Sequence, residues 1–389
     1  MVDVSKKRKI CIVVNSRANY GRIKSVMIAI KKHPMLELQL LVGASALLHR
    51  FGSVVDIMRS DGFEPTAVIH SIIEGETPTT MAKSTGLGIL EAASLFENIR
   101  PDIVLTVADR FETIATAIAA SYMNIPVAHT QGGEVTGSID ESVRHAVTKL
   151  SHLHFPATER AYQFVLRMGE DPGTVHFTGC PAMDILARSD LSLSGDLFKK
   201  YAGVGAEINP SKPYLVVLQH PVTTEYGEGL IQINETLEAV KRIGMQVAWL
   251  WPNVDAGSDH ISKGLRIYRE KNQTNSLHFY KNFSVEDYAR LINNAACVVG
   301  NSSSGLRECA FLGVPAVNIG TRQQGRERAE NVIDVPYGAD YIEDAILKQL
   351  AHGRYQSSRM FGDGSSGERI AEVLATAKVS LQKRLSYVD

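Results

Sequence analysis

The chain has no apolar run long enough to cross a bilayer, so a helical membrane span is excluded. After the basic stretch Met1 to Lys9, the apolar run Ile10 to Val14 is too short for the hydrophobic region of a secretory signal. Only four cysteines are present, Cys11, Cys180, Cys297 and Cys309, and none has C-x-x-C spacing. That argues against a disulfide framework and a thiolate metal site. Cys11 and Cys297 fall in apolar runs that read as core strands, so buried thiols in a reducing cytoplasm are expected. The formal net charge is −1, which gives no bulk attraction to nucleic acid or to a membrane surface. No Walker A loop, G-x-S-x-G elbow or complete G-x-G-x-x-G occurs, and Thr85-Gly86-Leu87-Gly88 lacks both the third glycine and a preceding strand. No Cys, His and carboxylate grouping has metal-site spacing, so neither metal nor cofactor is expected. There is no internal repeat and no low-complexity tract.

What remains is an ordinary globular composition, 44% hydrophobic over 389 residues, long enough to favour two domains. Strand and helix patterns alternate. Lys9 to Val14, Leu36 to Val42, Thr66 to His70, Asp102 to Val107 and Val127 to Thr130 read as strands. Helical periodicity covers Tyr20 to Lys32, Ala46 to Ser60, Thr79 to Ile99 and Phe111 to Met123. The irregular stretch Leu191 to Lys212 marks a boundary. Beyond it, strands are expected at Tyr214 to Leu218, Gln246 to Trp251, Leu277 to Tyr280, Ala295 to Val299 and Ala316 to Ile319. Helices are expected at Gly229 to Ile243, Val285 to Asn293, Leu306 to Leu312 and Arg369 to Ser386. The fold class is therefore α/β, with two doubly wound, Rossmann-like domains (residues 1–195 and 210–366), a closing helix (367–389) and a cleft between the domains. In such sheets ligands bind at the carboxyl ends of the strands.

Polar clusters sit at those ends. Gly300-Asn301-Ser302-Ser303-Ser304-Gly305 lies where a strand turns into a helix, which suits an anion such as phosphate. Glu308, one turn further, suits a ribose. A plain Ser-rich N-cap explains the same residues. Arg17, in Asn15 to Gly21, reads as a phosphate ligand or as a solvated loop arginine. Asp109-Arg110 reads as a sheet-mouth pair or an N-cap, although an arginine at a helix N-terminus opposes the helix dipole. Gln131-Gly132-Gly133-Glu134, with Asp140 and Arg144 four apart on one helix face, exceeds what an N-cap and a surface ion pair need. His220 in Gln219 to Thr224 is a strand-tip acid/base or phosphate partner, or a structural histidine. Asn253 and Asp255 lie in a further strand-tip loop. Arg322, with Arg326 and Arg328, follows the strand ending at Ile319 and suits a diphosphate.

The order Arg17-Ala18-Asn19-Tyr20, Asp109-Arg110-Phe111, Gly132-Gly133-Glu134-Val135, Asp140 to His145, Gln219 to Thr224, Pro252 to Ser258, Gly300 to Glu308 and Gly320 to Glu327 resembles the hydrolysing UDP-N-acetylglucosamine 2-epimerases. These serve sialic acid and legionaminic acid synthesis. The resemblance covers nearly the whole chain and implies a GT-B-like fold with a UDP-sugar in the cleft. It implies a homo-oligomer, dimer or tetramer, with neither nucleic acid nor membrane as partner. By resemblance, Ser302, Ser303 and Gly305 belong to the phosphate turn and Glu308 to the ribose. Arg17, Arg110 and Arg322 belong to the diphosphate, with Asn253 and Asp255 on the substrate side. Asp109, Gln131, Glu134, Asp140 and His220 stand at the catalytic positions.

One departure stands out. Many relatives carry a Glu where this chain has Gln131, and an amide cannot transfer a proton. Either Glu134 or Asp140 covers the role, or the sugar differs. UDP-N,N'-diacetylbacillosamine is the alternative, with the Gln131 amide meeting its extra acetamido group. A non-hydrolysing epimerase, a GT-B glycosyltransferase and a sugar-nucleotide-binding protein are the other readings.

Overall fold

The structure is a computed structural model. It describes residues 7–107, 110–193, 195–201, 203–253, 255–271 and 276–386. The first half runs β1 (Arg8–Val14), α1 (Arg17–Lys32), β2 (Leu36–Gly43), α2 (Val54–Ser60), β3 (Ala67–Ile69), α3 (Pro78–Ile99), β4 (Ile103–Val107), α4 (Phe111–Tyr122), β5 (Val127–Thr130), α5 (Asp140–Leu150), β6 (Leu153–Phe155), α6 (Glu159–Arg167) and α7 (Ala182–Arg188). The second runs α8 (Leu197–Lys200), β7 (Gly203–Gly205), β8 (Tyr214–Leu218), α9 (Gly229–Ile243), β9 (Gln246–Leu250), α10 (Ser258–Lys271), β10 (Leu277–Tyr280), α11 (Val285–Asn293), β11 (Cys297–Gly300), α12 (Glu308–Leu312), β12 (Ala316–Ile319), β13 (Val332–Val335), α13 (Ala339–His352) and α14 (Ser366–Thr376).

Strand alternation builds both sheets. In β1, Ile10, Ile12 and Val14 enter one core with α1, while Cys11 and Val13 enter another with Phe96 of α3. In β8, Leu215 and Val217 face one way and Tyr214, Val216 and Leu218 the other. Strands apolar on both faces require helices on both faces, which is the parallel arrangement. The sheets are ordered β3-β2-β1-β4-β5-β6 and β13-β12-β11-β8-β9-β10-β7. All pairs are parallel except β10 with β7. Strand order reverses between β1 and β4 and between β8 and β11, and crevices open at those carboxyl ends.

Three expectations need correction. The helix expected from Ala46 to Ser60 is broken. Gly52 (φ +90°) and Ser53 (φ +42°) adopt left-handed backbone, so 3₁₀ turns at Ala44–Leu47 and His49–Phe51 precede the short α2. Helix α1 starts at Arg17, not Tyr20, because Ser16 caps it by accepting from the backbone N–H of Asn19 at 3.2 Å. The closing helix is α14, displaced from the expected Arg369 to Ser386. Arg8 from β1 takes the carbonyls of Leu374 (2.7 Å) and Ala377 (3.0 Å), ending the helix. The tail then runs back over the first half, where Lys383 donates to the carbonyl of Thr148 at 3.0 Å and pairs with Glu170 at 2.6 Å.

Candidate active site in the interdomain cleft

The strand-tip loops of the two sheets face each other across a cleft that is open at its mouth. Of the residues singled out in the sequence, Arg17, Arg110, Asp140, His220, Asn253, Ser302, Ser303, Glu308 and Arg322 line it. Asp109 lies outside the described residues. Gln131, Glu134, Asp255 and Gly305 are not among the lining residues.

The anion side is built as a 3₁₀ turn. Ser302 caps the turn Ser303–Gly305, and α12 starts at Glu308, not Leu306. Gly305 packs behind it against Ala316. Glu308 lines the cavity, and its Oε2 is buried without a hydrogen-bond partner. An orphaned carboxylate oxygen of this kind is costly unless a ligand hydroxyl meets it. The sequence reading missed Arg22. It reaches across from α1, five residues after Arg17, and donates to Ser303 Oγ at 2.7 Å. Five residues turn it about 140° around the helix from Arg17, so helical spacing gave no signal for it. Arg17 itself bridges the halves, donating to the carbonyls of Lys281 and Trp251, both at 2.7 Å.

His220 sits at the tip of β8. Asn301 clamps its backbone, accepting from the His220 N–H at 2.7 Å and donating to its carbonyl at 2.8 Å. The Asn253 N–H donates to His220 Nδ1 at 3.2 Å, so the proton of the neutral ring is assigned to Nε2. Burial, with Arg322, Arg17 and Arg110 nearby, holds this imidazole well below the usual histidine range. It is therefore a neutral donor at pH 7. Arg110 is oriented from behind. Asp255 pairs with its Nη2 at 2.9 Å and Glu112 with its Nε at 3.3 Å. The role of Asp255 is thus on Arg110. Arg322 lies 3.9 Å from Asp140, which opens α5. The halves meet closely here: a Cβ on Gly137 would come within 2.0 Å of the Thr321 carbonyl oxygen, so only glycine fits.

Gln131 and Glu134 form a separate buried node. Arg307 donates to Gln131 Oε1 at 2.8 Å, and Gln131 Nε2 donates to Cys180 Sγ at 3.2 Å. Both ends of the amide are engaged within the protein. The contact with a substrate acetamido group that the sequence suggested is not what the structure supports. Glu134 pairs with Arg307 and, at 3.3 Å, with Arg326, while its backbone carbonyl accepts from Arg144. Burial raises its pKa, but the guanidinium groups of Arg307, Arg326 and Arg144 outweigh that and hold it below the usual carboxylate range.

Among the described residues no group of three or more His, Cys, Asp or Glu side chains is placed to hold a metal ion. No helix among them is long and apolar enough to cross a membrane.

A family model described as UDP-N-acetylglucosamine 2-epimerase matches residues 28–375. The chain is 33% identical over 375 residues to a UDP-N,N'-diacetylbacillosamine 2-epimerase (hydrolyzing) of Legionella pneumophila, covering 96% of this chain and 97% of that one. It is 32% identical over 389 residues to a UDP-N-acetylglucosamine 2-epimerase of Neisseria meningitidis, covering 98% and 99%. In fold it is similar to the UDP-GlcNAc 2-epimerase of Methanocaldococcus jannaschii solved with UDP-GlcNAc and UDP. That likeness has a TM-score of 0.78 at 18% identity and covers 94% of this chain and 99% of that one.

Proposed function

The chain belongs to the UDP-N-acetylglucosamine 2-epimerase family, and from that premise we propose that it is a hydrolysing 2-epimerase of a UDP-2-acetamido sugar. A base takes the C2 proton as the C1–O bond breaks, and its electron pair leaves with UDP, giving a glycal. Water then adds its hydroxyl to C1, and C2 gains a proton on the opposite face. The products are UDP and the free 2-epimer, with one water consumed.

The observation that carries this reading is the cavity's charge. Among the described residues, four guanidinium groups, those of Arg17, Arg22, Arg110 and Arg322, line one cavity with Asp140 and Glu308, and Arg110 is also held from behind by Asp255 and Glu112. A diphosphate is the complementary ligand. Because the C2 proton is weakly acidic, stabilising the departing diphosphate must lower much of the barrier. His220, neutral, offers Nε2–H to that leaving group. Asp140, which lines the cavity, transfers a proton in this reading, with Asp109 as its partner. Ser302 and Ser303 hold phosphate, and the unpartnered oxygen of Glu308 accepts from the ribose.

UDP-N-acetylglucosamine and UDP-N,N'-diacetylbacillosamine both fit this chemistry, and each is named for one of the two relatives above. The finer reading extends to a cytoplasmic homo-oligomer serving sialic or legionaminic acid synthesis. Four buried free cysteines support the compartment, and the exposed Leu87 and Leu90 on α3 support self-association. The division into residues 1–195, 210–366 and 367–389 is proposed with it; the presence of two sheets supports it, although β7 of the second sheet lies before residue 210. A proton NMR time course in D₂O, with each UDP-sugar in turn, tests the reaction. Release of UDP with a free 2-epimer carrying deuterium at C2 is expected. Unchanged sugar in the presence of bound UDP would refute it.

A further inference from the structure

Arg307 is 1% exposed and does not line the cavity, yet it touches three segments that do. It stands at the N-cap of α12, where a cation opposes the helix dipole, so the fold of α12 alone gives no reason for it. Its neighbour in sequence is Glu308. Its Nη1 reaches Gln131 and its Nη2 reaches Glu134, on the turn that leads from β5 to Asp140. The same Nη1 lies 3.7 Å from Cys180 Sγ, just before α7, whose Ala182, Ile185 and Leu186 form part of the cavity wall. The guanidinium also sits 5.7 Å from the centre of the Phe361 ring. Gln131 meets it from a left-handed backbone (φ +62°), uncommon for a side chain of this size and held by its own N–H donating to the Phe155 carbonyl at 2.9 Å.

We infer that Arg307 is a positioning residue: with Gln131 as its acceptor, it sets the spacing between the proton-transfer side of the cleft on α5 and the nucleotide side on α12. The inference rests on the epimerase reading and adds a residue that acts without touching substrate. A planar fork is needed for the task. One guanidinium reaches an amide and a carboxylate at once, which an ammonium on a flexible stem cannot do at the same geometry. The neutrality of Gln131 fits the same arrangement, because Glu134 already supplies the counter-charge.

The test is steady-state kinetics on the full chain, with melting temperature and UDP affinity measured on the same samples. Arg307→Lys keeps the charge and loses the fork. A fall in kcat of about 100-fold is expected, the scale of a misplacement near 1 Å, with KM and UDP affinity within about threefold. Gln131→Met keeps the Arg307–Glu134 pair, so it remains informative if the lysine variant folds poorly. It should lower kcat in the same manner, and the double variant should be no worse than Arg307→Lys alone. Unchanged kcat in Arg307→Lys, or independent effects of the two substitutions, would overturn the inference. An inactive wild type that still binds UDP would instead sink the epimerase reading, and this inference with it.

Discussion

The cavity wall and the node behind it are built from the same residue types and behave in opposite ways. On the wall, four arginines, Asp140 and Glu308 line a space that a ligand can enter, and Glu308 Oε2 has no hydrogen-bond partner. In the node, which does not line that space, Glu134 is matched by Arg307 and Arg326 and the Gln131 amide is engaged at both ends, although Glu134 Oε1 is likewise buried without a hydrogen-bond partner. Polar residues at strand tips thus divide into those that line the space a ligand enters and those paired within the protein behind it. Only the first kind should govern binding, and only the second should govern stability.

The largest expected effect separates the two regions directly. Asp140→Asn should lower kcat by about 10³-fold, the range of a lost general acid or base, with little change in melting temperature. Paired kinetics and thermal unfolding would show it, and a melting temperature that falls along with kcat would erase the distinction. Glu134→Gln should do the reverse at the level of folding. It leaves buried guanidinium groups without their anion, so a loss of about 3 kcal/mol is expected in urea unfolding, with UDP affinity retained.

That division was not legible in the sequence. The architecture was, because β1, β4, β8 and β11 are apolar on both faces and their runs stand out. The edges were weaker signals. Strand β7, Gly203–Gly205, is exposed along its length and antiparallel, so it has neither an apolar face nor a β-branched run. Strand β6 has three residues, and α7 has seven, too few to show a period. At the site, the loops were found because they follow strands. Direction was not, since facing the cleft or facing away from it changes no composition. Asp255 and Glu134 therefore looked like ligands when their partners are Arg110 and Arg307. Arg22 was passed over because it lies inside a helix whose first turn had been read as a loop.

Smaller effects sharpen the comparison. Arg22→Met removes one wall cation with its bond to Ser303. UDP binding should weaken about tenfold by calorimetry, the value of one charge-assisted hydrogen bond, and stability should hold. The same change in Kd from a node substitution such as Glu134→Gln would blur the boundary. The mildest distinction is in pH. His220 is kept neutral in the fold, so below about pH 6.5 the unfolded chain takes up a proton that the folded chain refuses, and stability declines. Glu134 is held ionised, so its contribution is full above roughly pH 4.3 and is lost as the pH falls through its lower folded pKa. Acid titration of stability should therefore show the wall failing before the node. His220→Asn should lessen the first decline, which His152, His154 and His176 share, and Glu134→Gln the second, which Glu170 and Asp287 share.

The closing helix has a consequence for how the protein is made. Ile370, Ala371 and Leu374 complete the hydrophobic layer over α1, and Lys383 ties the tail to the end of α5. The first half is synthesised early but stays unfinished on one side until α14 has been made. At translation rates of about 5–20 residues per second, the intervening chain of roughly 200 residues leaves that surface bare for some 10–40 s. A ribosome stalled anywhere in the second half would hold a nascent chain that cannot finish its first, and chaperone demand should fall on that interval.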